Sequence, residues 1–246
     1  MFFFSNKISI RESGLLEGLC DYHCHLLPGV DDGVQEMEET LQLLQTWESV
    51  GVKDVWLTPH IMEDMPNKPE RLREKFSLLQ QQYTGSVHLH LAAEHMMDGL
   101  FPSRFAEKAL LPIGADQSHL LVETSYYIPP INMEGMLRSI KQSGITPLLA
   151  HPERYEYMGE KDYKYYKDRQ ILFQLNLPSL IGAYGPAAQR KAEWLLDQNM
   201  YSCCGTDMHS LRHAEYFLNS KISKKALKKV RGVIRKTGDL NLWHYK

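Results

Sequence analysis

The chain has 246 residues, of which 43% are hydrophobic, and its formal net charge is −2. This length suits one large domain or two small ones, and single α/β barrels commonly have about this size. The near-neutral charge argues against nonspecific binding of nucleic acid through a basic face. Apolar runs stay short of the roughly 20 residues that a membrane-spanning helix needs, so we expect no membrane insertion and a cytoplasmic location.

Short apolar runs alternate with longer amphipathic stretches along the whole chain, without a clear linker. The runs predict strands near residues 19–23, 53–58, 87–93, 119–123, 146–150, 171–175 and 200–204. The amphipathic stretches predict helices near 35–50, 69–83, 102–109, 132–143, 186–198, 210–217 and 222–236, with a weaker pattern over 161–169. We therefore expect one domain over residues 1–246, with residues 1–17 as an N-terminal extension.

About seven repeats of strand and helix predict parallel strands with right-handed crossovers. Such repeats form either a closed barrel or an open doubly wound sheet. Polar residues follow almost every predicted strand, which favours the barrel, because barrel sites gather residues from many strand ends. The pattern Gly-x-Gly does not occur, so neither a dinucleotide fingerprint nor a Walker loop is available.

Histidines and carboxylates stand where the apolar runs end. His23 and His25 are two residues apart on a predicted strand, so both side chains point to the same face. Asp21 shares that face in a regular strand and is predicted to orient a ligand from behind. Imidazole and carboxylate are typical ligands of zinc, manganese or iron. The later strand ends supply His60, Glu94, Glu123, His151, Asp207 and His209.

Two further features, a short acidic run and an arginine, have both a structural and a functional interpretation. The run Asp31-Asp32-Gly33 is either an ordinary turn or helix cap, or a source of a ligand from Asp32. Arg154 either forms a salt bridge with Glu153 or Glu156, or binds an anion such as phosphate. Its position three residues after His151 favours anion binding.

The remaining histidines are expected to lie outside the site. His88 and His90 share a strand face with Glu94, but they lie four to six residues before it, too deep for an open site. We also expect the four cysteines to be reduced thiols, since they show neither a C-x-x-C pair nor a secreted framework. The apolar segment Met1-Phe2-Phe3-Phe4 is expected to pack on the domain or on a partner. The other predicted non-ligands are His95, His119, His213 and His244.

The motif order resembles that of the PHP (polymerase and histidinol phosphatase) superfamily. It runs H-x-H, D-D-G, T-P-H, E, E, A-H-P-E-R and D-x-H, from about Leu19 to His209. Within that superfamily, the segments D-Y-H-C-H-L-L-P-G-V-D-D-G and A-H-P-E-R-Y resemble bacterial tyrosine-protein phosphatases of capsule and exopolysaccharide operons. The resemblance implies a distorted (β/α)7 TIM-like barrel.

The resemblance also implies three divalent ions, with manganese ahead of iron, zinc, cobalt or magnesium. One ion is implied at His23, His25, Glu94 and Asp207. A second is implied at Glu94, Glu123 and His151, and a third at Asp32, His60 and His209. Arg154 is implied to hold the phosphoryl group of a phosphotyrosine protein, expected to be the tyrosine-rich tail of a membrane-associated autokinase. The residues flanking His60 and Glu94 depart from the family pattern, which leaves the substrate open.

Two other functions stay open on the sequence alone. One is a small-molecule phosphomonoesterase such as a histidinol-phosphate phosphatase, and the other is a metal-binding regulatory module without catalysis. A cysteine-based tyrosine phosphatase is excluded, since no cysteine has an arginine six positions later. The leaving-group acid and a homo-oligomeric state also stay open.

Overall fold

The computed structural model describes residues 6–237, and within them the chain forms eleven strands and eight α-helices. The strands are β1 (Lys7–Ser9), β2 (Cys20–Cys24), β3 (Asp54–Leu57), β4 (His60–Ile61), β5 (His88–Leu91), β6 (Glu94–Met96), β7 (His119–Glu123), β8 (Thr146–Ala150), β9 (Leu172–Asn176), β10 (Cys203–Gly205) and β11 (Lys221–Ser223). The helices are α1 (Met37–Ser49), α2 (Pro69–Gln82), α3 (Phe101–Ala106), α4 (Met133–Gln142), α5 (Glu160–Asp168), α6 (Gly185–Asp197), α7 (Leu211–Asn219) and α8 (Lys224–Thr237).

Nine of the described strands form a curled parallel sheet in two pieces. One piece has the order β10-β9-β8-β7-β6-β4, and the other has the order β2-β3-β5. Two short strands lie just beyond predicted ones: β4 follows β3 after a break of two residues, and β6 follows β5 in the same way. The two pieces also meet at the other side, where Cys24 of β2 forms an isolated parallel bridge with Met208, just after β10. The carboxyl ends of the strands therefore gather on one side of the sheet.

The predicted mixed α/β fold is confirmed, with a strand at each of the seven predicted places. The weak pattern over 161–169 is a regular helix, α5, in which the Asp162 carboxylate accepts a hydrogen bond from the backbone N–H of Gly159. Part of the expected N-terminal extension is built into the fold, since β1 pairs antiparallel with β11. Ile10, Leu15 and Leu16 are buried. The predictions for Met1–Phe4 and His244 concern positions outside the described residues.

Two apolar layers support the sheet. A small cluster fills the inner side of the curled sheet and includes Tyr22, Trp56, Leu121 and Leu148. A larger cluster lies between the strands and the surrounding helices, and Trp47 of α1 is among its fully buried members. This division follows from the alternation of side chains along each strand. Among residues 6–237, none of the helices combines the length and apolarity needed to cross a bilayer.

A bulge in β2 changes which side chains face inward. The ladder pairs Asp21 with Val55 and Cys24 with Leu57, so three steps along β2 match two steps along β3. Tyr22 packs in the inner cluster, whereas Cys24 packs in the outer one. The extra residue shifts the alternation. Asp21 consequently does not reach the ring of His23, and its carboxylate accepts hydrogen bonds from the backbone N–H groups of His23 and Thr206.

The close approach of β10 to β2 requires a glycine at position 205. A Cβ atom at Gly205 would lie 2.5 Å from His23 Cβ and 2.8 Å from His23 N. We predict that Gly205→Ala lowers the free energy of unfolding by about 1–3 kcal/mol, because the added methyl group forces the two strands apart. Urea denaturation measures the change. Gly99→Ala is the matched control, since a Cβ there meets no atom within 4 Å; equal stability of the two variants would contradict the prediction.

Candidate metal centre

The structure brings the nine predicted ligand residues together at the carboxyl ends of the strands. Nearly all of their side chains are buried, and Asp32 is the exposed exception at 52%. Their ligand atoms form four overlapping groups, each with all atoms within 4.8 Å of one another. These groups are His25, Asp32, His60 and His209; His23, His25 and Asp207; His23, Glu94 and His151; and His60, Glu94 and Glu123.

The deepest part of the site holds two imidazole nitrogens between two carboxylates. His23 Nε2 lies 3.1 Å from His25 Nε2. The Glu94 Oε2 atom is 3.1 Å from the His23 nitrogen and 3.3 Å from the His25 nitrogen. On the other side, Asp207 Oδ1 lies 3.4 Å and 3.3 Å from the same two atoms. Four ligand atoms thus surround one small volume.

Hydrogen bonds behind the rings fix the tautomers of both histidines. The His23 Nδ1–H donates to Gln174 Oε1, at 3.0 Å, and the His25 Nδ1–H donates to Asp31 Oδ2, at 2.8 Å. The oxygen and nitrogen of the Gln174 amide cannot exchange places, because the oxygen also accepts a hydrogen bond from the His151 backbone N–H and the nitrogen donates to a backbone carbonyl. In the neutral rings, both Nε2 atoms therefore direct lone pairs at each other. This arrangement fits a shared cation.

Several buried polar atoms nearby have no hydrogen-bond partner. His60 Nδ1 lies 2.9 Å from Glu123 Oε1 and 3.3 Å from Glu94 Oε2. None of these three atoms makes a hydrogen bond, although all three are buried. His151 Nε2 lies 2.9 Å from the other Glu94 oxygen. Because unpaired buried polar atoms are costly, this part of the site also fits a cation.

The outer edge of the site is formed by Asp32, His60 and His209. Asp32 Oδ1 lies 3.5 Å from His60 Nε2 and 3.6 Å from His209 Nε2. The His209 ring stacks on His25 at a centroid distance of 4.1 Å. The three residues meet as the resemblance implies, and His25 joins their group. The implied second set is divided between two groups: His151 lies with His23 and Glu94, whereas Glu123 lies with His60 and Glu94.

The pKa values follow from burial and crowded charge. Burial lowers the pKa of His151 to about 4, with Arg154 contributing, so its ring is neutral and carries a free lone pair near pH 7. Burial would also lower the pKa of His25, but Asp31, Asp207 and Glu94 outweigh it and raise the pKa. Burial and the charge of Glu94 raise the pKa of Glu123.

Two site residues have a left-handed backbone. His151 has a φ angle of 32° and Asp207 has a φ angle of 52°. Such angles are unfavourable for residues with a side chain, and they occur where the surrounding structure enforces them. His151 directly follows β8, Asp207 lies two residues after the end of β10, and the unusual angle turns each side chain toward the site.

Arg154 lies beside the cluster but pairs with a predicted ligand and not with its sequence neighbours. Its Nη1–H donates to Asp207 Oδ2 at 2.6 Å, and its Nη2–H donates to the Tyr126 hydroxyl at 2.7 Å. The guanidinium lies over the ring of Tyr126 at 4.4 Å and over the ring of Tyr184 at 4.1 Å. The alternative salt-bridge partner Glu153 instead accepts from Asn176, Ser179 and Tyr201.

The sequence did not single out Asp31, Gln174 or the two tyrosines. Asp31 carries a weak signal, since it precedes a predicted ligand in the D-D-G motif. Its Oδ2 atom accepts from His25 and from the backbone N–H of His60, at 3.0 Å. Burial opposes ionisation, yet the His25 charge lowers the pKa of Asp31 to about 2. Gln174 lies in the middle of an apolar strand, and this buried polar position was its only signal.

The histidines predicted to lie outside the site make other contacts. His95 Nδ1 donates to the Leu121 carbonyl, and its Nε2 accepts from the Leu111 N–H. His88 and His90 both contact Asp54 at the beginning of β3, far along the strands from Glu94. All four cysteines are free thiols, and burial raises the pKa of each.

Buried histidines and carboxylates at the carboxyl ends of parallel strands define an α/β protein whose site suits several divalent ions. The chain belongs to the family described as capsular polysaccharide synthesis, CpsB/CapC, whose model matches residues 19–232.

Named relatives of the chain are tyrosine-protein phosphatases. YwqE of Bacillus subtilis is 24% identical over 200 residues, covering 79% of this chain and 78% of YwqE. CpsB of Streptococcus pneumoniae is 27% identical over 206 residues, covering 78% of this chain and 84% of CpsB. A crystal structure from work on these two proteins, described as metal-dependent tyrosine phosphatases, superposes with a TM-score of 0.73 at 21% identity. The match covers 89% of this chain and 87% of the other, and it shows that the fold is shared.

We predict that Asp31→Ala weakens manganese binding by about 10- to 100-fold, because the His25 ring loses the acceptor that fixes its tautomer. Isothermal titration of metal-free protein with manganese measures the affinity. Asp197→Ala is the control, since that carboxylate pairs with Lys225 and Lys229 on the outer surface. Unchanged affinity in the Asp31 variant would show that the ring is held in place without it.

Proposed function

We propose that the chain is a metal-dependent tyrosine-protein phosphatase that acts in capsular or exopolysaccharide synthesis. One observation carries the proposal: the two Nε2 lone pairs of His23 and His25 face each other between Glu94 and Asp207, with Arg154 alongside. Membership of the CpsB/CapC family and the names of the relatives agree with it. The substrate would be a phosphotyrosine protein, and we infer the tyrosine-rich tail of a membrane-associated autokinase.

We infer three divalent ions, with manganese first and iron, zinc, cobalt or magnesium as alternatives. His23, His25, Glu94 and Asp207 would hold one ion, since their ligand atoms surround a common volume. When bound, such ions lower the pKa of water toward neutrality and neutralise charge on a phosphoryl group. The remaining ions would be held by Glu123 and His151 with Glu94, and by Asp32, His60 and His209.

The chain itself contributes orientation and positive charge to the reaction. Asp31 and Gln174 hold two imidazoles in the tautomer that presents Nε2 to the site. Arg154 is only 15% exposed, and it retains free N–H groups beyond its bonds to Asp207 and Tyr126. These groups are suited to phosphoryl oxygens and to the charge that develops on them during displacement. Tyrosine phenolate, with a pKa of about 10, leaves more readily than an alkoxide.

We also infer that the curled sheet closes as a distorted (β/α)7 barrel and that residues 1–246 form one domain. The contact between β2 and β10 supports closure: the backbone N–H of His25 donates to the Met208 carbonyl at 2.9 Å, and that of Asp207 donates to the His23 carbonyl at 2.7 Å. In such a barrel, β3 and β4 together would count as one strand, and β5 and β6 together would count as another.

Removal and return of metal tests the proposal. We predict that chelation abolishes hydrolysis of a phosphotyrosine peptide and that manganese restores it, because the site fits cations and not a covalent nucleophile. Steady-state rates are measured with phosphotyrosine peptide, p-nitrophenyl phosphate and histidinol phosphate. Faster hydrolysis of histidinol phosphate than of the peptide would support a small-molecule phosphomonoesterase. Manganese binding without turnover of any substrate would support a regulatory module.

The control for this experiment is alkylation with iodoacetamide. Three of the cysteine thiols are buried and Cys20 is half-buried, and burial raises the pKa of all four, so we expect treated native protein to retain its activity. Loss of activity with retained metal would indicate a thiol nucleophile and contradict the proposed chemistry.

A second prediction concerns Arg154. We expect Arg154→Ala to lower kcat/KM for phosphotyrosine peptide by about 10²–10³, by analogy with the loss of one oxyanion donor. Arg154→Lys should not restore it, because an ammonium cannot contact Asp207 and Tyr126 in the same fork geometry. Metal analysis should show the same ion content in both variants, since Asn176 still donates to Asp207.

Arg169→Ala is the matched control for Arg154. Arg169 also lies over a tyrosine ring, that of Tyr165 at 3.4 Å, but at the C-terminal end of helix α5. This variant should keep full activity. If Arg154→Ala empties the metal site instead, the arginine is a structural partner of Asp207 and does not bind phosphate.

A further inference from the structure

An exposed apolar segment begins beside the metal centre. Residues 124–132 connect β7 to α4, and within them Tyr127 is 70% exposed, Ile128 is 69% exposed and Ile131 is 96% exposed. Seven large hydrophobic side chains are exposed among the described residues, and three of them lie within the five residues from Tyr127 to Ile131. Such a local concentration of apolar surface is a mark of a binding surface.

The same segment reaches into the site through Tyr126. Its hydroxyl accepts the Arg154 N–H at 2.7 Å, and its ring lies 5.9 Å from that of His151. Tyr126 also follows Glu123 by three residues. Consecutive residues of the segment therefore point in different directions, with Tyr126 toward the metal centre and Tyr127 toward solvent.

The distance between Arg154 and the exposed segment is about the length of one tyrosine side chain. Tyr126 spans the distance from the segment's backbone to the guanidinium of Arg154. A substrate phosphotyrosine that places its phosphoryl group beside Arg154 must span a comparable distance. Its own backbone would then lie level with the 124–132 segment, and the residues next to the phosphotyrosine would meet Tyr127 and Ile128.

The segment is held in place before any substrate arrives. The backbone N–H of Thr124 donates to the Tyr155 hydroxyl oxygen at 3.3 Å, and the Tyr126 carbonyl accepts the Glu156 N–H at 2.6 Å. Pro129 and Pro130 further restrict the backbone. A surface ordered in advance loses little conformational entropy on binding, so its apolar area contributes more fully to affinity.

We propose that Tyr127 and Ile128 form a docking surface for apolar residues that flank the phosphotyrosine of the protein substrate. The inference rests on the proposed phosphatase function and adds a sequence preference to it. No charged side chain occurs between Tyr126 and Ile131, so the surface selects for apolar and aromatic neighbours and not for acidic or basic ones. A small phosphate ester lacks such neighbours and does not reach the surface.

The test compares two phosphotyrosine peptides of equal length and charge on the manganese-loaded protein. One peptide has Leu, Ile and Tyr beside the phosphotyrosine, and the other has Ser and Gly. We expect kcat/KM to favour the apolar peptide by about tenfold, which corresponds to partial burial of one or two large side chains. In the double variant Tyr127→Ser with Ile128→Ser, the two peptides should react at nearly equal kcat/KM. Hydrolysis of p-nitrophenyl phosphate should be unchanged.

Leu78→Ser is the matched control, since Leu78 is an exposed apolar residue on helix α2. It should keep the peptide preference of the natural sequence. Equal reaction of both peptides with the unaltered protein would overturn the docking proposal, as would an unchanged preference in the double variant. A parallel loss of p-nitrophenyl phosphate hydrolysis would also overturn it, because the substitutions would then act on the site itself. Absence of turnover with all three substrates would instead contradict the phosphatase function on which the proposal rests.

Discussion

The crowding of electron-rich atoms around His23 Nε2 and His25 Nε2 is the constraint on which the rest of the site depends. Two lone pairs and the carboxylates of Glu94 and Asp207 share a buried volume, with separations of 3.1–3.4 Å. Such an arrangement is unfavourable unless protons or metal ions supply positive charge. Folding therefore assembles a site whose stability depends on a cation, and metal binding and folding are expected to be thermodynamically coupled.

The supporting structure determines that a cation, and not a change of ring orientation, relieves this crowding. Gln174 and Asp31 each hold one imidazole from behind, and neither can exchange its role, because each has further backbone partners. The left-handed backbone at His151 and Asp207 directs those side chains inward. The hydrogen bonds of Asp21 to the backbone of His23 and Thr206 connect the two strands that carry the ligands. Each of these contacts fixes the position of a candidate ligand side chain, so the side chains are arranged before an ion binds.

The gathering of the nine predicted ligand residues on one side of the sheet could be predicted from the sequence, because most of them stand at the end of an apolar run that forms a parallel strand. Glu123 and His151 show this directly, since the strands before them have the predicted bounds. The supports could not be predicted in the same way. Gln174 is 151 residues from its partner His23, and no local pattern marks that pair. The bulge in β2 also removes the regular alternation that would have placed Asp21 behind a ligand. The nearest charged residues in sequence, Glu153 and Glu156, were the wrong partners for Arg154, because the fold uses Glu153 elsewhere.

Arg154 lies between the candidate metal centre and the proposed docking surface. By pairing with Asp207, it offsets one negative charge in a cluster that also contains Glu94 and Glu123. A cluster of carboxylates attracts cations but repels a phosphate dianion, so an arginine at its edge makes the site accessible to both. The rings of Tyr126 and Tyr184 cover the guanidinium and limit its contact with water, which strengthens its charge interactions. Tyr126 belongs to the segment that exposes Tyr127, so one stretch of chain contacts Arg154, the proposed phosphate-binding group, and also carries the proposed peptide-docking surface.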